Sequence, residues 1–201
     1  MTVRIRLGVT FALAAVAVVG CSPTADPGHA EPTPTTSTSG SANPQLSRPK
    51  DLKTANVDPC SLLTDTQKTQ LSITHTGQGP GDPQGGSTTS CTYTVLKPAT
   101  YALNVAFESK RGVEDWVAGK YAEQDVRQLT LNSYPAAQTL LIGEKFSDLH
   151  ATACQTFVST AAGQELSVGV IVTNKDLTTT QLCDLSKQGA TLALTTLLAN
   201  Q

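Results

Sequence analysis

The chain has 201 residues, with 14 Lys and Arg against 16 Asp and Glu, so it carries no basic field to hold nucleic acid. A hydrophobic share of 39 % excludes wholesale disorder. Composition is nevertheless uneven: the only aromatic before position 93 is Phe11, and six of the eleven prolines fall between Ser22 and Lys50.

Residues 1–20 read as an export signal. Arg4 and Arg6 form a positive start, and Leu7 to Val19 is a 13-residue run without a formal charge. That run is too short to span a bilayer core, which needs about 20 residues. Val18-Val19-Gly20-Cys21 closes it and resembles the lipobox of bacterial lipoproteins. The resemblance implies cleavage before Cys21 and a diacylglyceryl group on its sulfur. Removing the signal leaves 12 basic against 16 acidic side chains, net −4, so acyl chains and not a polybasic patch would do the anchoring.

Residues 21–50 comprise the lipidated Cys and a Pro/Ser/Thr-rich tether. Between Ser22 and Lys50 the only large aliphatic is Leu46, too little apolar surface to offset ordering entropy. A coil of this length reaches roughly 30 Å. Thr33 to Ser39 also has the composition of an O-glycosylated stalk. Ser47-Arg48-Pro49-Lys50 matches the S-x-x-K nucleophile motif, but Pro49 disfavours a helical Arg48 and neither S-D-N nor K-T-G follows.

Residues 51–201 read as one globular domain. Its cysteines are Cys60, Cys91, Cys154 and Cys183, with no C-x-x-C, and the three histidines lie far apart in sequence, which speaks against a zinc site. In an exported protein four cysteines point to two disulfides with three possible pairings. The local one, Cys60–Cys91 with Cys154–Cys183, is favoured because each bond closes a loop around one helix-plus-strand unit.

In chain order, Asp58 caps a helix with Pro59 in its first turn, and Thr64 with Gln67 forms a capping box from which it restarts and runs to about Leu71. Gly77 to Ser87 reads as a loop. Cys91 to Leu96 and Tyr101 to Phe107 read as strands, the second with Tyr101, Leu103, Val105 and Phe107 on one face. Gly112 to Gln124 reads as a helix, because Val113, Trp116, Val117 and Tyr121 follow its spacing; Glu123 and Arg127 would pair if it runs on. A strand is expected around Ala137 to Ile142, then a hairpin from Thr152–Thr160 and Glu165–Thr173. The last helix spans about Thr179 to Ala199, with Leu182, Leu185, Gly189, Ala193 and Leu197 as its buried stripe. The expected fold is α+β: an antiparallel sheet of about five strands with helices packed on it, in the order α-β-β-α-β-β-β-α.

Asp58-Pro59-Cys60-x-Leu62-Leu63-Thr64, Cys91-x-Tyr93, Cys154 opening a strand and Cys183 in the last helix together resemble the actinobacterial lipoproteins of the domain of unknown function 3558 family. The likeness covers about residues 55–200, plus lipobox and tether. The family often has Trp where Tyr93 stands, and either aromatic can fill a core beside a disulfide. The resemblance implies a cell-surface location and the same local disulfide pairing. It brings no catalytic residue, and it implies no cofactor.

Chemistry-bearing residues are sparse. His75 and His150 are candidate general bases, and Glu114-Asp115 and Glu144/Asp148 candidate paired carboxylates. No G-x-S-x-G occurs. Gly77 to Gly86 looks like a phosphate loop but lacks the Walker Lys, and its prolines remove donors. Trp116 reads as core. The leading expectation is a non-enzymatic, lipid-anchored module on the extracytoplasmic face of the cell membrane. It would bind an envelope protein or small ligand through the Gly-rich loop or the loop around His150. The rivals are an envelope hydrolase using His75 or His150, and an extracellular sensor or accessory subunit of a membrane signalling system.

Overall fold

A computed structural model describes residues 46–82 and 84–201. The segments read as export signal and tether, with Cys21, lie outside them except for residues 46–50. Leu46 and Arg48, assigned to the tether by sequence, touch the domain: Leu46 packs beside Trp116 and Phe157, and Arg48 Nη1 donates to Ser159 Oγ at 2.8 Å.

The domain opens with a short 3-10 turn, Pro59–Ser61, capped where Asp58 accepts from the Cys60 N–H at 2.9 Å. Helix α1 (Asp65–Gln70) follows, and Thr64 and Gln67 form the expected capping box. The restart read at Thr64 is thus present, with the first piece only a 3-10 turn, and Leu62 and Leu63 between the two pieces are both fully buried.

Seven strands make one antiparallel sheet: β1 (His75–Pro80), β2 (Thr89–Val95), β3 (Tyr101–Glu108), β4 (Val126–Leu131), β5 (Tyr134–Leu140), β6 (Ala153–Ala161) and β7 (Gln164–Val172). Their spatial order is β1-β2-β3-β7-β6-β5-β4. The sheet thus has two strands more than the five expected. β1 carries no apolar residue from His75 to Gly79, yet pairs with β2 through the backbone at all of 75–80. Turns at residues 118–124 replace the end of the expected second helix, and the unexpected strand β4 follows them. Helix α2 stops after Val113–Val117, and Glu123 and Arg127 make no helical pair because Arg127 belongs to β4. Asn132 and Ser133, both at positive φ, close the β4–β5 hairpin as a two-residue turn. The strand expected at Ala137 to Ile142 lies three residues earlier at its start, and Ile142 is exposed.

Helix α3 (Thr179–Ala199) packs on β6 and β7. Its buried face holds Leu182, Cys183, Ser186, Gly189, Ala190, Ala193, Leu194 and Leu197, while Leu185 is half-buried at the margin of the expected stripe. Cys154 is bonded to Cys183, clamping β6 to α3, and Cys60 to Cys91, clamping the 3-10 turn to β2. A buried polar ladder joins the layers: Gln138 Nε2 donates to Cys183 O at 2.9 Å and Thr156 Oγ1 at 3.1 Å, and Thr156 Oγ1 meets Ser186 Oγ at 2.8 Å. Tyr93 fills the core beside the first disulfide, its hydroxyl donating to the carbonyls of Pro59 and Cys60. The opposite sheet face carries a smaller cluster of Val113, Trp116, Ala137 and Phe157.

Candidate functional site

The strand register gives the sheet two unlike ends. At one end lie the Gly81–Thr88 loop between β1 and β2, the end of β3 and the β6–β7 turn. The segment Leu52–Val57 crosses this end, fixed where the Leu52 N–H donates to Thr160 O at 2.7 Å and Thr54 Oγ1 donates to Gln164 Oε1 at 3.3 Å. Between them opens a cleft of about 680 Å³. Leu52, Val57 and Phe107 supply apolar lining, and Asn56, Thr88 and Gln164 polar groups. That size and mixture suit a small organic ligand.

The loop wall of this cleft is built for close approach. The N–H groups of Ser109 and Lys110 both donate to Gly85 O at 2.9 Å, and Ser109 Oγ donates to Gly86 O at 2.9 Å. Gly86 has φ +86°, and a Cβ there would sit 2.5 Å from Ser109 Oγ, so both backbone conformation and space require glycine. Of the segment read as a loop from Gly77 to Ser87, the first part is strand β1, and only Gly81 onward is loop.

A charge cluster lies directly under the loop. Glu108 of β3 and Glu165 of β7 are cross-strand partners, and both are buried. Arg111 Nε donates to Glu165 Oε1 at 3.0 Å, and its Nη2 lies 3.9 Å from Glu108 Oε1 and 3.8 Å from Asp82 Oδ2. Trp116 Nε1 donates to Glu165 Oε2 at 3.1 Å, and the guanidinium sits over the Trp116 ring at 5.3 Å. Burial pushes the Glu165 carboxyl up to about 7, against the pull of Arg111 and Trp116 and with the push of Glu108. Burial, aided by Asp82 and opposed by Arg111, pushes Glu108 up to about 6.

Of the features singled out by sequence, the Gly-rich loop walls the cleft, whereas the two histidines lie elsewhere. His75 starts β1 and His150 immediately precedes the β5–β6 return to β6, so both are at the far end of the sheet from the cleft. His150 Nδ1 is 2.9 Å from Leu177 O. Glu114 Oε1 accepts from the Gly163 N–H, Asp115 pairs with Lys120 at 3.2 Å, Glu144 Oε1 accepts from the Thr152 N–H, and Asp148 from the Lys145 N–H. Each of these carboxylates fixes a turn or an ion pair. Trp116 is core, stacked on Phe157 at 4.5 Å between centroids. Among the described residues no group of three or more His, Cys, Asp or Glu could hold a metal ion. Glu108, Arg111 and Glu165 escaped notice because β3 and β7, which bring them together, are far apart in sequence. The one local hint is a buried-type Trp116, whose N–H needs an acceptor.

A second, smaller cavity of about 370 Å³ lies at the far end, lined by Leu71, Val95, Tyr101, Leu177 and Leu185 among others.

These features define an α+β domain whose antiparallel sheet is disulfide-clamped to a C-terminal helix, with a cleft at one end. The chain belongs to the family described as protein of unknown function (DUF3558), whose model matches residues 16–196. No curated protein and no solved structure matches it.

Proposed function

We propose that this protein is a lipid-anchored cell-envelope module that captures a small ligand in the cleft between Leu52–Val57 and the Gly81–Thr88 loop. Acylated Cys21 would hold it on the extracytoplasmic face, and residues 22–45 would serve as the tether. The cleft itself carries the binding reading. Its volume of about 680 Å³ lies in the range of small-molecule sites, and an apolar floor is rimmed by hydroxyl and amide groups. The lipobox-like end of the signal and the Pro/Ser/Thr-rich segment support the anchoring.

Screening small polar fragments against the isotopically labelled full chain tests the reading. Amide shifts should cluster at Asn56, Gly86, Thr88, Phe107 and Gln164, and Thr88→Trp, which fills the cleft from its exposed wall, should abolish them. Fragments that shift no lining residue, or whose shifts survive the filled cleft, would refute the assignment.

A further inference from the structure

The loop that walls the cleft rests on three carboxylates that share one guanidinium. Glu108 and Glu165 face one another across β3 and β7, where like charges repel. Asp82 belongs to the loop itself, and its Oδ1 accepts from the Gln84 N–H at 2.9 Å. Arg111 reaches all three acids. Glu108 Oε2 is buried, has no hydrogen-bond partner and points at Gly85, where any Cβ would collide with it. The other charged groups on elements packed here are Glu114 of α2, which holds the Gly163 N–H; Asp115 of α2, paired with Lys120; Lys110, next to Arg111 in sequence; and Arg48, bound to Ser159 and Asp51.

We propose that Glu108, Glu165, Arg111 and Asp82 form a proton-operated latch on the Gly81–Thr88 loop. With a proton held on Glu108 the loop is seated; when that proton leaves, the loop is released and the cleft changes shape. The geometry gives the reason. Fully ionised, the cluster sets three negative charges against one positive, with an unsatisfied carboxylate oxygen against the Gly85 backbone. A proton taken from solvent onto Glu108 removes one of those charges. It also turns the orphan acceptor into an O–H donor facing the loop. The raised affinities of Glu108 and Glu165 for a proton place this exchange near neutral pH. The consequence for capture rests on the binding reading above, whereas the latch does not.

An amide NMR titration of the full chain between pH 5 and 8, without ligand, tests it. Gly85, Gly86 and Thr88 should share one inflection near pH 6–7. Their hydrogen-exchange protection, corrected for the intrinsic rate, should fall about tenfold as pH rises through it. Glu108→Gln should remove the inflection. Asp82→Asn, on the exposed side of the cluster, should move it to lower pH by relieving repulsion on Glu108. A flat titration, or an inflection indifferent to both substitutions, would overturn the latch. An inflection without fragment binding would keep the latch and sink the binding reading; fragment binding with a flat titration would do the reverse.

Discussion

At the scale of single residues, the cost of the buried acids fixes a sign for the pH dependence of stability. Glu108 and Glu165 hold their protons more tightly in the fold than in the unfolded chain, so the folded state binds more protons between pH 4.5 and about 7. Their favourable contribution is complete below the unfolded value and is lost as pH rises through about 6 and then about 7. Urea unfolding of the full chain should therefore give a lower unfolding free energy at pH 8 than at pH 5, and Glu108→Gln should reduce the difference, leaving the part due to Glu165. A stability that climbs over this interval in the wild type, and is unchanged in the variant, would contradict the assignment. None of this was visible in the residues taken singly. Glu108 follows the alternating run Tyr101, Leu103, Val105, Phe107 and falls on the face expected to meet water. It is buried because the Gly-rich loop and Arg111 close over it. Tyr93 was legible as a core aromatic beside a disulfide, since its position next to Cys91 needs no tertiary knowledge.

Among elements, legibility follows whether a local signal is sufficient. Helix α3 and the β6–β7 hairpin are readable because each carries a local signal: a helical stripe in one, and in the other a Gly-containing turn followed by an arm that alternates Leu166, Val168, Val170 and Val172. β1 is unreadable because His75-Thr76-Gly77-Gln78-Gly79-Pro80 has neither apolar alternation nor strand propensity; only pairing with β2 makes it a strand. The α2 region misleads in the opposite way. Val113, Trp116, Val117 and Tyr121 keep helical spacing, but Gly119 takes φ +75° and the helix ends before it. In α3 the readable Gly189 has a use beyond the stripe. An added Cβ would lie 2.7 Å from Leu103 Cδ1 and 3.1 Å from Val168 Cγ1, so this glycine lets the helix settle onto β3 and β7. Gly189→Ala gains about 1 kcal/mol of helix propensity and incurs about 1–3 kcal/mol of overpacking. The expected outcome is a net loss near 1 kcal/mol and a melting temperature lower by a few degrees. A rise in melting temperature would mean that Leu103 yields without strain.

For the whole molecule, the two ends of the sheet differ in chemistry as well as position. The segment Leu46–Val57 runs onto the cleft end, where Arg48 and Leu52 bind the last residues of β6. Among the described residues, the exposed large hydrophobics Leu96, Leu141, Ile142, Leu149 and Ile171 belong to the other end, with Ile142 67 % and Leu149 69 % exposed. Two different holds on a membrane can thus be distinguished. No helix among the described residues is long and apolar enough to cross a membrane. The acidic balance of the chain gives no polybasic grip, so in the proposed anchored form the acyl chains on Cys21 carry the attachment, each buried CH₂ contributing about 0.8 kcal/mol. Cys21→Ser should then abolish palmitate labelling and move the full chain from the membrane pellet to the soluble fraction, with both disulfides intact. If the variant is exported yet stays in the pellet, the lipid anchor is not the hold. Ile142→Ser with Leu149→Ser would then be the pair to release it, since both side chains are largely exposed and outside the core cluster.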